Sequence, residues 1–231
     1  MNIFPTNTPQ TLSNLEIRKT EDGSDTLFNK ELNESYHSTH GAVQESNHVF
    51  INAGFHYVLN TKSTISILEM GFGTGLNAFL TALECKKLGV LVKYTSIENR
   101  ILEPEIWKTL RFNQNYGADI YRKLHECSWN KFITINADFE LHKIQSDIEN
   151  WTPISKFDLI YYDAFAPEIQ PHLWSESIFK KLFDAINPNG ILVTYCAKGA
   201  VKRALKASGF MVEALPGPPG KREITRAIKV G

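Results

Sequence analysis

Between residues 64 and 83 the chain reads as a strand, a glycine-rich turn and a helix, and that order leaves few folds open. Thr64-Ile-Ser-Ile-Leu68 is apolar and β-branched, and Leu76 to Leu83 is helix-like. Glu69-Met-Gly-Phe-Gly-Thr-Gly75 lies between them. Glycines let the backbone turn tightly and let a ligand touch main-chain atoms that a Cβ would block. An acidic residue at the strand's end, ahead of the glycines, suits a cationic or hydroxyl-rich ligand better than a pyrophosphate. That points to S-adenosylmethionine (SAM) rather than a dinucleotide. The spacing agrees: dinucleotide sites use G-x-G-x-x-G, whereas the third residue after Gly73 is Leu76.

Strands and helices alternate through the rest of the chain. Strands are expected at 64–69, 90–98, 132–137, 157–162 and 190–196, with two more at 210–214 and 223–230. Helices are expected at 76–88, 104–115, 139–148, 175–186 and 200–208, with Pro104 in a first helical turn and Ser175 as an N-cap. This rhythm with short links predicts an α/β fold, a doubly wound and mostly parallel sheet. Ahead of it, residues 1–12 are polar and loosely ordered, 14–30 form a hairpin turning at Asp22-Gly23, and 45–59 form a helix. The expected division is an N-terminal extension over 1–60 and a catalytic domain over 61–231.

The 231 residues carry 25 basic and 25 acidic side chains, so a nucleic-acid role has to rest on a local basic patch. Three scattered cysteines without C-x-x-C, no signal pattern and no long apolar run predict a soluble cytoplasmic protein. His40, His48 and His172 lack ligand spacing, so no metal site is expected.

In such a sheet, ligands bind outside the carboxyl ends of the strands. Three acids end three successive expected strands: Glu69, Glu98 and Asp138. Glu98 lies 23 residues beyond Gly75, the distance at which a second-strand carboxylate reaches a ribose diol. Asp138 is placed to accept from an adenine amino group, with Phe139 covering the ring. Glu69 is placed near the methionine portion.

The fourth strand ends in Tyr162-Asp163-Ala-Phe-Ala-Pro167, a carboxylate followed by an aromatic residue and a rigid turn. Methyl transfer is an in-line displacement, so an amine acceptor must present its lone pair to the methyl group. Asp163 is the candidate to orient the N–H bonds of that amine. A carboxylate also favours a nearby ammonium, which opposes deprotonation, so orientation is preferred over strong-base action.

Several separated segments carry a resemblance. Asp22-Gly-Ser-Asp-Thr-Leu-Phe28, Tyr36-His-Ser-Thr-His-Gly-Ala42, Glu69 to Asn77, Asp163 to Glu168, Leu173-Trp174 and Gly220-Lys-Arg-Glu223 resemble the MnmC/MnmD family. This is the methyltransferase domain of the tRNA 5-methylaminomethyl-2-thiouridine biosynthesis protein. The resemblance covers residues 15 to 228. It implies a class I SAM-dependent methyltransferase fold, and N-methylation of the 5-aminomethyl group of a (2-thio)uridine at the tRNA wobble position. It puts SAM on Glu69, Gly71, Gly73, Gly75, Glu98 and Asp138. It puts the amine at Asp163, with Phe165 and Pro167 shaping the pocket and Tyr36, Ser38 and Gly41 in an entrance loop.

The bifunctional version of that family carries an FAD-dependent oxidase domain with no counterpart in this sequence. A separate enzyme or biosynthetic route is therefore expected to supply the aminomethyl substrate. Ala164 stands where the family commonly has glycine. Lys198, Lys202, Arg203 and Lys206, with Lys221, Arg222, Arg226 and Lys229, are candidates to hold the anticodon region's phosphates, chief among them Lys221 and Arg222. Tyr36, His37, Phe165 and Trp174 are candidates to stack a base, with Trp174 favoured as core. Two alternatives stand beside this reading. One is a methyl- or aminopropyltransferase acting on a small-molecule or protein amine; the other is a non-catalytic SAM-binding module.

Overall fold

The computed structural model describes residues 14–60, 62–112 and 117–231. The expectation for residues 1–12 lies outside that range. An antiparallel hairpin, β1 (Leu15–Lys19) and β2 (Asp25–Asn29), turns through Gly23 at φ 80° and adds the short strand β3 (Glu34–Ser35). A helix follows in three consecutive parts. It starts as α1 (Ala42–Ser46), widens to a π-helix (Asn47–Phe55) and closes as α2 (His56–Leu59). Gly54 lets this helix lie directly on the sheet: a Cβ there would come within 3.0 Å of Val193 and 3.2 Å of Tyr161. Leu15, Leu27, Val49, Phe50 and Phe55 share one apolar cluster with the sheet residues Ile67, Leu159 and Val193.

The central sheet begins with β4 (Thr64–Met70), α3 (Leu76–Leu88) and β5 (Leu91–Glu98). The helix expected over 104–115 is only one turn, α4 (Pro104–Trp107). Its continuation is drawn out to the hairpin: Asp25 N–H donates to Arg111 C=O (2.8 Å), and Arg111 N–H donates to the Asp25 carboxylate (2.7 Å). Those backbone groups are unavailable to a helix. A second helix then forms, α5 (Ala118–Glu126), burying Ile120 and Leu124; the sequence reading has no helix there.

The largest departure from expectation is at 132–148. Residues 132–136 do form a strand, β6 (Phe132–Asn136), but the expected helix after it is a second strand, β7 (Phe139–Gln145). The two make an antiparallel hairpin, and β7 runs parallel to β5 with Val92 opposite Phe139 and Glu98 opposite Gln145. Leu141, Ile144 and Ile148 fall at i, i+3 and i+7, which mimics a helical face. The burial follows the other period: Phe139, Leu141 and Lys143 are buried in alternation. Lys143 is tolerated inside because its ammonium donates to the Leu124 and His125 carbonyls (2.7 and 2.8 Å) at the end of α5.

Next come β8 (Phe157–Tyr162), a 3₁₀ turn (Pro171–Trp174), α6 (Glu176–Ala185), β9 (Ile186–Thr194), α7 (Gly199–Ala207), β10 (Met211–Pro216) and β11 (Glu223–Ile228). Ser175 stands at the N-cap of α6, although its hydroxyl pairs with Ser177 rather than with the helix backbone. The sheet order is β10-β11-β9-β8-β4-β5-β7-β6. Five central strands are parallel; β11 and β6 run antiparallel to their inner neighbours. From β4 the chain winds outward through β5 to β7, then returns to β8 on the other side. The crevice between the carboxyl ends of β4 and β8 is therefore the topological switch point, where open α/β sheets bind ligands.

Candidate functional site

A cavity of about 360 Å³ opens at that switch point. Its floor is the turn after β4. Gly71 has φ 90° and a Cβ there would sit 3.1 Å from the Asp163 carbonyl oxygen; Gly73 has φ 48° and a Cβ would sit 3.4 Å from the Tyr36 ring. The cavity thus meets bare main chain, a cradle that side chains would fill. Gly75, φ 73°, is the N-cap of α3 and does not line the cavity; it makes room for His125 and the Phe72 ring.

The acids divide by strand register. Glu98 ends β5 facing the cavity. One of its oxygens accepts the Gly73 N–H (2.9 Å) and the other the Arg100 N–H (2.7 Å), which fixes the carboxylate and leaves further lone pairs turned outward. Burial pushes its carboxyl above the ordinary range, against the pull of those two donors. Glu69 sits beneath the floor with no exposure. Ser96, opposite it in register, donates to one oxygen (2.7 Å), and Tyr94 and Asn77 stand close to the same carboxyl. Burial first, and the neighbouring Asp163 charge after it, push Glu69 up to about 8, so it is protonated at neutral pH.

Asp138 and Phe139 are not at the site. Because β7 is a strand and not a helix, Asp138 stands at its amino end, where its carbonyl accepts from Val92 at the start of β5. Six residues of strand, about 20 Å, separate Val92 from Glu98. Phe139 is core, 5.3 Å from the Tyr94 ring centroid. The acid that follows the carboxyl end of β7 is Asp147. It lines the cavity with Ile148 and accepts from Asn99 Nδ2 (2.5 Å). The sequence carries a signal for it: in Gln145-Ser-Asp-Ile148 an acid and an apolar residue follow an alternating strand.

Asp163 follows β8 and lines the cavity. Its N–H donates to Met70 C=O (3.2 Å), which ties it to β4. Asn77 Nδ2 donates to Oδ2 (2.8 Å). Burial, helped by the Glu45 charge, pushes the carboxyl up to about 7 despite Asn77 and Lys221. The loop behind it is pinned: Tyr195 hydroxyl donates to Ala164 C=O (2.8 Å) and Trp174 Nε1 to Phe165 C=O (2.8 Å). Trp174 is core and has no face free for a base. Ala164 is buried.

Tyr36, Ser38, Phe165 and Lys221 share the cavity wall; Pro167 and Arg222 lie outside it. Tyr36 and Phe165 meet edge to face at 5.0 Å. His37 bridges Thr26 (3.2 Å) and Thr74 (3.2 Å) through its two ring nitrogens, and burial pushes it down to about 4. It is a neutral strut between the hairpin and the glycine turn. The outer basic residues are largely paired: Lys198 with Glu168, Lys202 with Glu223 (2.7 Å), Arg226 with Glu213 (2.8 Å). Among the described residues no cluster of three metal-ligating side chains occurs, and no helix is long and apolar enough to cross a membrane.

The chain is 28% identical over 213 residues to the tRNA 5-methylaminomethyl-2-thiouridine biosynthesis bifunctional protein MnmC of Campylobacter hominis, covering 87% of this chain and 31% of that one. It is 27% identical over 219 residues to the protein of the same name from Ralstonia nicotianae, covering 87% and 33%. It therefore spans about a third of the length of these relatives. Among solved structures it matches MNMC2 of Aquifex aeolicus with a TM-score of 0.76 at 26% identity, covering 96% of this chain and 72% of that one. Spermidine synthase of Thermotoga maritima shares the fold, with a TM-score of 0.55 at 13% identity over 93% of this chain and 68% of that one. A family described as S-adenosyl-L-methionine-dependent methyltransferase matches residues 111–230, more than half of the chain and all of β6 to β11, and the chain belongs to that family.

Proposed function

We propose that this chain transfers a methyl group from SAM to the 5-aminomethyl nitrogen of a (2-thio)uridine at the tRNA wobble position. The observation that carries the reading is Asp163. It stands at the switch point on the same cavity as Glu98 and the glycine turn, with one oxygen tied to Asn77 and the other available. The names of the relatives supply the tRNA context.

The cavity suits SAM by its donor set. Glu98 would hold the ribose hydroxyls, Asp147 the adenine amino group, and the bare main chain at Gly71 and Gly73 would pass close to the methionine portion. SAM, when bound, supplies an electrophilic methyl group on a sulfonium. Every other requirement falls on the chain. The acceptor must arrive with a free lone pair, but an alkylammonium has none. A carboxyl pushed up to about 7 is ionised for part of the time at neutral pH and can take one ammonium proton. Once that proton has passed to solvent through the cavity mouth, the re-ionised Asp163 holds a remaining N–H and aims the lone pair. The nitrogen that receives the methyl group would carry a positive charge beside the ionised Asp163 carboxylate, which can accept or share its proton. This assigns Asp163 more base character than sequence alone suggests.

Tyr36, Ser38, Phe165 and Lys221 would receive the nucleotide, Pro167 would stiffen the loop, and Arg222 would meet phosphate. The aminomethyl group would come from a separate activity. The test is an assay of the purified chain with methyl-labelled SAM and tRNA bearing 5-aminomethyluridine, read by nucleoside mass spectrometry. A 5-methylaminomethyl product that is lost in Asp163→Ala, with SAM binding retained, is expected. Turnover on free polyamines without tRNA, or none on any amine, overturns the proposal.

A further inference from the structure

Two residues outside the segment matched to the family, Ser46 and Asn77, form a buried chain that ends on Asp163. Ser46 Oγ donates to Asn77 Oδ1, and Asn77 Nδ2 donates to Asp163 Oδ2 at 2.8 Å. Ser46 is 2% exposed and Asn77 4% exposed. The polarity of the chain is set by chemistry. A carboxylate only accepts, so Asn77 must turn its amide nitrogen toward Asp163. Its oxygen then faces Ser46, whose hydroxyl proton completes the pair. Thr81 Oγ1 donates to the Asn77 carbonyl (2.7 Å) and holds that turn of α3 in place.

We infer that Ser46 and Asn77 are positioning residues for methyl transfer: they fix which oxygen of Asp163 faces the substrate and favour its ionised form against the burial that opposes it. The inference rests on the reading of Asp163 as the amine acceptor. With Oδ2 occupied by Asn77, Oδ1 alone is left for the amine. Several groups bear on the charge of Asp163: Glu69 from β4, Tyr94 from β5, Glu45 from α1, Tyr195 after β9 and Lys221 from the β10–β11 loop. The Glu45 charge opposes its ionisation and Lys221 favours it, while Glu69, protonated at neutral pH, turns no charge toward it. Asn77 is the donor that touches it directly. A neutral donor on a carboxylate stabilises the charged form.

Ser46 also ties the site to the N-terminal helix. Glu45 and Ser46 are consecutive, and both reach the catalytic end at the point where α1 widens into the π-helix. Gly54 sets the far part of the same helix hard against β8 and β9, so Ser46 cannot retreat without disturbing that contact.

The experiment is a carbon-13 NMR titration of the Asp163 carboxyl in aspartate-labelled full chain, assigned with Asp163→Asn, and repeated in Ser46→Ala and Asn77→Leu. The wild-type midpoint is expected at about 7. In Asn77→Leu it should rise by about one pH unit, and in Ser46→Ala by a smaller step in the same direction. Ser46→Thr, which keeps the hydroxyl, should restore it. The acid limb of single-turnover methylation should move by the same amount, with the KM for SAM unchanged in Ser46→Ala. An unchanged midpoint in a folded Ser46→Ala or Asn77→Leu chain overturns the inference. If Asn77→Leu does not fold, Ser46→Ala, which removes one oxygen, decides it. Wild-type chain inactive on tRNA would sink the substrate reading while the titration still tests the inference.

Discussion

Glu45 and Lys221 meet across the mouth of the cavity, 176 residues apart in sequence. One Glu45 oxygen pairs with the Lys221 ammonium and the other accepts the Ser38 N–H (2.9 Å). The ammonium also lies 4.2 Å from the Tyr195 ring centroid, and Tyr195 in turn holds the Ala164 carbonyl. One ion pair thereby links the N-terminal helix, the entrance loop, the β10–β11 loop and the turn behind Asp163. His48 supports the same loop by pairing with the Pro216 carbonyl (2.8 Å).

Lys221→Met should therefore act in two ways. It leaves Glu45 largely buried without its partner, which should cost about 1–3 kcal/mol of stability, less than a deeply buried pair because Lys221 is partly exposed. It also removes the charge that favours ionised Asp163 while leaving the Glu45 charge that opposes it. The acid limb of the single-turnover rate should move to higher pH. Urea unfolding and a pH–rate series check the two effects separately; a limb that stays in place would contradict the electrostatic link.

Arg222, the next residue, should behave differently. Its side chain is 95% exposed and its nearest carboxylate, on Glu223, is 4.0 Å away. Arg222→Ala should leave the melting temperature within error of wild type. If Arg222 meets a phosphate, tRNA affinity should fall and the slope of log affinity against log salt should shrink by about 1. Filter binding across a salt series measures both, and an unchanged slope removes Arg222 from the interface.

Cofactor affinity separates three of the acids that the sequence and the structure bring forward. Glu98→Ala removes a carboxylate whose orientation is fixed by two backbone donors. Losing charge-assisted bonds to two hydroxyls should weaken SAM binding roughly 100-fold. Asp147→Ala should cost about tenfold for one bond. Asp138→Ala should cost nothing, since Asp138 lies at the other end of the sheet. Isothermal titration with SAM ranks them; a loss for Asp138→Ala equal to that for Asp147→Ala would contradict the placement of β7.

The pattern of what was legible follows from how local each signal is. The turn after β4 could be read because a β-branched run, three glycines and a helical run sit side by side, and Thr64 and Leu76–Leu88 are element bounds in both sequence and structure. Strand β8 was equally plain, since Phe157–Tyr162 is buried on both faces and reads as an apolar and aromatic run broken only by Asp158. Strand β7 was not, because Leu141, Ile144 and Ile148 satisfy a helical spacing while Phe139, Leu141 and Lys143 satisfy the strand spacing. A lysine among the buried positions hides the alternation, and its burial depends on carbonyls of α5 that no local window contains. Misplacing one strand moved the expected acid from Asp147 to Asp138. The depth of Glu69 was hidden for a related reason: it is an acid at a strand end, but which way it points depends on register with Ser96 and Tyr161. Glu45 and Ser46 gave no motif, because their meaning comes from partners at Lys221 and Asn77.

Glu69 makes the stability of the fold depend on pH in a defined direction. Its carboxyl has an ordinary value of 4.5 and is pushed up to about 8 in the folded chain. Between those values the folded state holds a proton that the unfolded state has released. Unfolding therefore releases a proton, and stability falls as pH rises from about 4.5 through 8, where the loss is complete. At about 1.36 kcal/mol per unit the total is on the order of a few kcal/mol. Glu69→Gln keeps the shape and the neutral state, with an amide that can still accept from Ser96. It should flatten this component, raising the melting temperature more at pH 8.5 than at pH 5.5, each roughly one side of the titration. SAM affinity should change little, because Glu69 lies under the floor and does not line the cavity. Thermal melts of both chains across that range decide the matter: a Gln variant that loses stability equally at both pH values would mean that the buried carboxyl is ionised throughout.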